Sequence, residues 1–253
     1  MSALAALTER AARAGVREDV PFAVLAPAGN FLVFNFMLGK VIDTGGMSYP
    51  QYVLPVVIVQ VMMIGALTSV DRAARDERGE FGDRLRTLPI SAAVPVMARM
   101  LYCLFRGALG LLAAIAVGYV FGFRLFGGLG YAAAFTALVL LLTLALSLAA
   151  DSAGVLSAGS QSGMGGGGAF SQFLLVPQML LVMLSTGMAP ADAFPDWLHP
   201  FVRNQPISQV TQTLRGFAAG HFAVGNLLTS LAWCLGLLLV FGAIAARVQR
   251  RTQ

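Results

Sequence analysis

Three stretches of this sequence, Tyr131–Ala150, Ala169–Met188 and Phe222–Ala246, each run for 20 residues or more without one charged side chain. A helix needs about 20 predominantly apolar residues to cross the hydrocarbon of a bilayer. Inside that hydrocarbon the backbone must satisfy its own hydrogen bonds, which a helix does alone. Phe22–Ile42, Val53–Val70 and Met100–Phe123 also qualify on length, although the first holds Pro27, Asn30, Asn35 and Lys40 and the third holds Arg106. Of the 253 residues only 11% are charged, against roughly a quarter in an ordinary soluble domain. That is too little polar material to coat a water-facing globule, and it is the reverse of a disordered composition. The expected fold is an all-α integral membrane protein, with six transmembrane helices in one domain over residues 1–253.

Arginine placement sets the expected orientation. With a cytoplasmic N-terminus and six alternating spans, the inner segments hold Arg10, Arg13, Arg17, Arg72, Arg75, Arg78, Arg84, Arg86, Arg99, Arg247, Arg250 and Arg251, 12 of the 17 basic residues. The outer segments hold Arg124, Arg203 and Arg215. Both termini are therefore expected in the cytoplasm, and the net charge of +5 calls for no nucleic acid. In residues 1–21, Glu9, Arg10, Arg13 and Arg17 interrupt the place where a signal peptide needs its apolar core. Leu4, Leu7 and Ala11 recur at helical spacing there, with the arginines on another face, a pattern that suits an amphipathic surface helix or a solvated tail. Cys103 and Cys234 sit in apolar runs, and neither His199 nor His221 has a partner at metal-ligand spacing, so neither a disulfide framework nor a metal site is expected.

The one strongly charged segment is Asp71–Leu88, within the expected cytoplasmic loop 71–90. It contains Arg72, Arg75, Arg78, Arg84 and Arg86 against Asp71, Asp76, Glu77, Glu80 and Asp83, so it is neutral overall. Asp71/Arg75, Arg72/Asp76 and Glu80/Arg84 are i,i+4 pairs that favour a helix. Phe81, Leu85 and Leu88 form one apolar stripe, and Pro89 disfavours continuation. Three readings stay open on these residues: a connecting hairpin, a lipid-binding helix, or a docking helix whose stripe enters a groove on a partner.

The segment Arg75–Ser91, RDERGEFGDRLRTLPIS, followed by Arg99, resembles the coupling loop of type-2 ATP-binding-cassette exporter permeases, in the daunorubicin-resistance-like branch of actinobacteria. A second match follows span five, where Pro190, Pro195–Trp197–Leu198, Pro206–Ile207–Ser208 and Leu214–Arg215–Gly216 fill the family pattern in order. The resemblance implies a permease in a bacterial plasma membrane, working as a homodimer or heterodimer with a second permease. It implies export of a drug, antibiotic or lipid, driven by a separate cytosolic ATPase. Arg75, Glu77, Arg78, Glu80, Phe81, Arg84, Leu85, Leu88 and Pro89 would then form the ATPase-coupling interface. Residues 189–221 would be an extracytoplasmic loop, with 204–220 as a re-entrant or surface-helix region capping the path. ATP and Mg would sit on the partner: the glycine run Gly163–Gly168 lacks the Lys-Ser/Thr of a phosphate loop, so this chain is expected to bind no cofactor and to be no enzyme itself. Those glycines are expected to be a flexible connection or a hinge before span five.

Inside the spans, Arg106 is the most expensive group unless it snorkels or pairs. It shares a face of span three with Arg99, and Asp151 ends the neighbouring span four, so Arg106 or Arg99 is expected to pair with Asp151. Asn30, Asn35, Gln60, Gln172 and Gln178 are candidates either for interhelical hydrogen bonds or for lining a path, beside adaptable Met62, Met63, Met179 and Met183. A secondary carrier would want a carboxylate near mid-membrane, and an intramembrane enzyme would want a catalytic motif; neither is found in the spans. A non-transporting membrane anchor stays open.

Overall fold

The apolar runs fold as helices, and no strand occurs among the described residues. The computed structural model describes residues 3–16, 19–39, 46–78, 93–158 and 167–251. In chain order the helices are α1 (Ala3–Val16), α2 (Asp19–Leu38), α3 (Tyr49–Arg78), α4 (Ala93–Val120), α5 (Gly128–Ala158), α6 (Gly167–Met183), α7 (His199–Asn204), α8 (Pro206–Ala219) and α9 (Val224–Arg251). Two 3-10 turns, Ala191–Ala193 and Asp196–Leu198, each follow a proline between α6 and α7. Helices α2, α3, α4, α5 and α9 are long and apolar enough to cross a membrane. The uncharged run Ala169–Met188, the fifth expected span, yields α6, which has only 17 residues, so that crossing is shorter than a full span.

Helix α3 is the hub. Every residue from Gln51 to Met63 is buried, and α3 packs most extensively on α5 while also touching α2, α4, α6 and α8. The α3–α5 crossing is close because position 154 lacks a side chain: a Cβ on Gly154 would lie 2.4 Å from the Val70 carbonyl oxygen. Small residues of this kind let membrane helices approach backbone to backbone. Helices α1 and α2 pack on α4, and α9 packs on α5 and α8.

Several expected boundaries shift. Instead of ending at Val70, α3 continues to Arg78, so the first part of the charged segment 71–90 is helix. That extension is tied between helices rather than along one: Arg72 pairs with Asp19, and Asp76 lies 4.0 Å from Arg99. Because α5 runs on to Ala158, Asp151 lies about two turns inside its helix rather than at its end. Helix α2 covers Asp19–Leu38 rather than Phe22–Ile42.

Residues 189–221 are expected as an outer loop with a re-entrant or surface-helix region over 204–220. They contain α8, in which Ile207, Val210, Leu214, Phe217 and Ala218 are buried against α3, α5 and α9. Pro206 opens this helix at a position that needs no N–H donor. Gly220 closes it in the left-handed conformation (φ 81°), with Gly220 N donating to Phe217 O and His221 N donating to Gly216 O. Only glycine takes that conformation without steric cost. Phe126 N donates to Ala218 O at 2.8 Å, joining the α4–α5 connection to the end of α8. Helix α6 stops at Met183 rather than Met188 because the next backbone groups are taken by α8. Gln205 Nε2 donates to Leu184 O, and Thr186 N donates to Ser208 Oγ at 3.0 Å.

Candidate functional site

Three layers of polar residues run along the bundle from one end of α3 to the other. At the C-terminal end of α3, Arg72 donates to Asp19 of α2, and Tyr102 of α4 donates to the same carboxylate at 2.9 Å. The Arg72 guanidinium also lies 4.7 Å from the centre of the Tyr102 ring, a cation–π stack. Beside it, Arg99 of α4 grips Asp151 of α5 with two bonds, Nε to Oδ1 at 2.5 Å and Nη2 to Oδ2 at 3.0 Å. Such paired, planar contact is the strong form of a carboxylate bond. Of the two arginines considered for Asp151, Arg99 is therefore the one in contact. Arg106 instead donates to Thr68 Oγ1 of α3 at 2.8 Å.

This charged layer adjoins the segment assigned to coupling. Arg75 is exposed on the last turns of α3, and Glu77 and Arg78 complete that helix. Glu80, Phe81, Arg84, Leu85, Leu88 and Pro89 lie outside the described residues, as do Gly163–Gly166, while Gly167 and Gly168 begin α6.

In the middle layer the candidate path residues separate. Gln60 of α3 and Gln178 of α6 are buried, and Gln60 Nε2 reaches Met179 Sδ at 3.8 Å. Among the described residues neither Gln60 Oε1 nor Gln178 Nε2, both buried, meets a hydrogen-bond partner, an expensive state for a polar atom. Asn30 and Asn35 are half-buried on α2, and Gln172 is exposed on α6. Only Gln60 and Gln178 are thus brought to the α3–α6 seam.

The third layer, at the N-terminal end of α3, is centred on a residue that sequence reasoning placed among outer-segment charges. Arg215 of α8 donates three bonds to carbonyls: Nε to Tyr52 O at 2.8 Å, Nη1 to Thr186 O at 2.9 Å and Nη2 to Gly187 O at 2.8 Å. Around it, Tyr52 Oη donates to Thr186 O at 2.9 Å, and Gln212 Nε2 donates to Thr186 Oγ1 at 3.1 Å. Gln51 and Arg124 exchange two bonds nearby. The available signal was that Arg215 is the one charge in the 14-residue segment Pro206–Ala219, whose Gln and Thr side chains are spaced to bond neighbouring elements.

Nothing in these layers is arranged as a nucleophile with a base. Among the described residues no group of three His, Cys, Asp or Glu side chains stands where it could hold a metal ion. What the arrangement offers is mechanical: a stiff central helix clamped by ion pairs at one end and by an arginine knot at the other.

Comparison with known proteins agrees with this architecture. The pattern of the family described as ABC-2 type transporter matches residues 3–218. The doxorubicin resistance ABC transporter permease protein DrrB of Mycobacterium tuberculosis is 33% identical over 199 residues, covering 79% of this chain and 64% of that protein. This chain thus spans a little under two-thirds of that relative's length. The probable doxorubicin resistance permease DrrC of the same organism is 24% identical over 90% of this chain and 80% of its own length. The daunorubicin resistance permease DrrB1 of Streptomyces coeruleorubidus is 28% identical over 90% and 78%.

Proposed function

The chain belongs to the ABC-2 type transporter family, and from that membership we propose that it is the membrane-spanning permease subunit of an ATP-driven exporter in a bacterial plasma membrane. Its cargo is a hydrophobic or amphipathic compound, of the class suggested by the drug-resistance names of its relatives. Both termini face the cytoplasm, a second permease copy or sister chain completes the conduit, and ATP with Mg is consumed on a separate cytosolic ATPase.

The observation that carries this reading is the continuity of α3. Its 30 residues make a rod about 45 Å long, of which about 35 Å separates Tyr52 in the arginine knot from Arg75 at the start of the coupling segment. Arg72–Asp19, Asp76–Arg99 and Arg99–Asp151 tie that rod to α2, α4 and α5. A push on Arg75–Pro89 by a closing ATPase therefore moves these helices together. At the far end the rod pulls on Arg215 through the Tyr52 carbonyl, and Arg215 holds both α8 and the chain after α6. Helix α8 thereby serves as the outer cap, released or seated by the tilt of α3. Gln60 and Gln178, both buried, supply polar side chains along a seam that also holds Met179.

The test is transport in proteoliposomes holding the full chain and the ATPase subunit that co-purifies with it, with doxorubicin fluorescence as the readout. Movement is expected only with ATP and the ATPase present. Full-speed movement without the ATPase would overturn the assignment.

A further inference from the structure

Arg106 is the one arginine among the described residues that is more than nine-tenths buried, with 7% of its surface exposed. Arg72 and Arg99 each hold a carboxylate and Arg215 holds three carbonyls. Arg106 holds the hydroxyl of Thr68, and among the described residues no carboxylate lies within ion-pair distance of it. A hydroxyl satisfies one N–H and leaves the charge unanswered. Buried cations are normally matched by an anion.

The guanidinium lines a cleft between α2, α3 and α4 whose walls include Phe22, Ala23, Ala26, Gly65, Gly107 and Gly110. The glycines are what make room: a Cβ on Gly65 would lie 2.2 Å from Arg106 Nη2. Phe22, at 52% exposed, and its neighbour Leu25, at 67%, stand on the outward side of α2, so the cleft opens sideways toward the acyl phase. Depth is fixed by Thr68, which precedes Arg72 by one helical turn, about 6 Å. The arginine side chain leans toward the N-terminal end of α4, and hence toward the Arg72–Asp19 layer.

We propose that this cleft is a headgroup site for an anionic phospholipid, whose phosphate pairs with the Arg106 guanidinium while its acyl chains lie along Phe22 and Leu25; Thr68, which donates to the Gly65 carbonyl and accepts from Arg106, holds the guanidinium in place. The planar guanidinium fork suits a phosphate, and the lateral opening onto an apolar helix suits a ligand with tails. The site needs neither transport nor the ATPase, so it stands or falls separately from the permease reading.

Native mass spectrometry of the full chain in detergent micelles tests it, with phosphatidylglycerol, dioleoylglycerol and inorganic phosphate as probes. Phosphatidylglycerol is expected to stay bound to the wild-type chain, and dioleoylglycerol, with the same tails and no phosphate, is not. Arg106→Gln is expected to weaken retention about tenfold or more, with partial recovery in Arg106→Lys. Ala26→Phe narrows the cleft while sparing Arg106 and Thr68, and it is expected to give the same loss, which decides the matter if Arg106→Gln does not fold. Unchanged retention in both Arg106→Gln and Ala26→Phe overturns the proposal, as does equal retention of dioleoylglycerol. Displacement of the lipid by millimolar inorganic phosphate overturns the lipid assignment in favour of a free anion.

Discussion

The guanidinium of Arg215 lies 3.5 Å from the centre of the Tyr52 ring while its Nε donates to the carbonyl of that same residue at 2.8 Å. One side chain thus reads both the face and the backbone of the other. Replacing Arg215 by Lys keeps a charge but cannot span three carbonyls and stack at once. Arg215→Lys is expected to cost about 3 kcal/mol of stability, since buried carbonyls lose their donors. Tyr52→Phe, which loses one bond to Thr186 O, is expected to cost about 1 kcal/mol. Thermal unfolding in detergent, followed by size-exclusion fluorescence, ranks the two.

Asp151 is buried and its partner Arg99 is nearly so. Removing one member of such a pair strands the other, at about 3–5 kcal/mol. Asp151→Asn and Arg99→Gln are each expected to lower the yield of folded protein sharply. The exchange Arg99→Asp with Asp151→Arg is expected to restore part of it. A double variant no better than the worse single one would show that the pair does not act as a unit.

Gln60 and Gln178 separate a packing role from a transport role. Each buries a polar atom that has no partner, so replacement by an apolar side chain of similar size removes a penalty of about 1–3 kcal/mol. Gln60→Met and Gln178→Met are expected to raise the unfolding temperature and to slow doxorubicin movement. Variants that gain stability and keep full transport would remove both residues from the path.

At the coupling segment, Phe81→Asp and Leu85→Asp place a charge on the apolar stripe. Both are expected to abolish co-purification of the ATPase subunit while leaving the permease folded, because neither residue belongs to an apolar span in the sequence. Pull-down from solubilised membranes reads the outcome directly, and an ATPase that stays bound and coupled would refute the docking assignment.

Alanine at Gly165–Gly168 tests the glycine run. Gly167 and Gly168 already begin α6, where each Gly-to-Ala change favours helix by about 1 kcal/mol. Transport is expected to persist at near the wild-type rate, as a connection allows; loss of transport with folding intact would mark a hinge.

Much of this was written into the sequence where apolar residues run on unbroken. The uncharged stretch Tyr131–Ala150 lies within α5 and Phe222–Ala246 lies in α9 from Val224 onward, and the two quoted motifs carried the family. Helix α8 was not legible as part of the core. Its polar residues alternate with its apolar ones too closely to resemble a membrane span, and they look solvated until the chain after α6 and the start of α3 supply the groups they bond. For the same reason Arg215 looked like one more outer charge. The extension of α3 was hidden because its ends are held by Asp19 and Arg99, residues distant in sequence. Thr68 as the contact of Arg106 was equally invisible, since no spacing rule connects α3 with α4.

An unbroken α3 also fixes a rotational phase between its two ends. Each residue advances the helix by about 100°, so inserting or deleting one position between Tyr52 and Arg72 would leave one anchor seated and swing the other off Asp19 or Arg215. Length variation in descendants of this gene is therefore excluded from the central helix, whatever side chains are chosen to compensate.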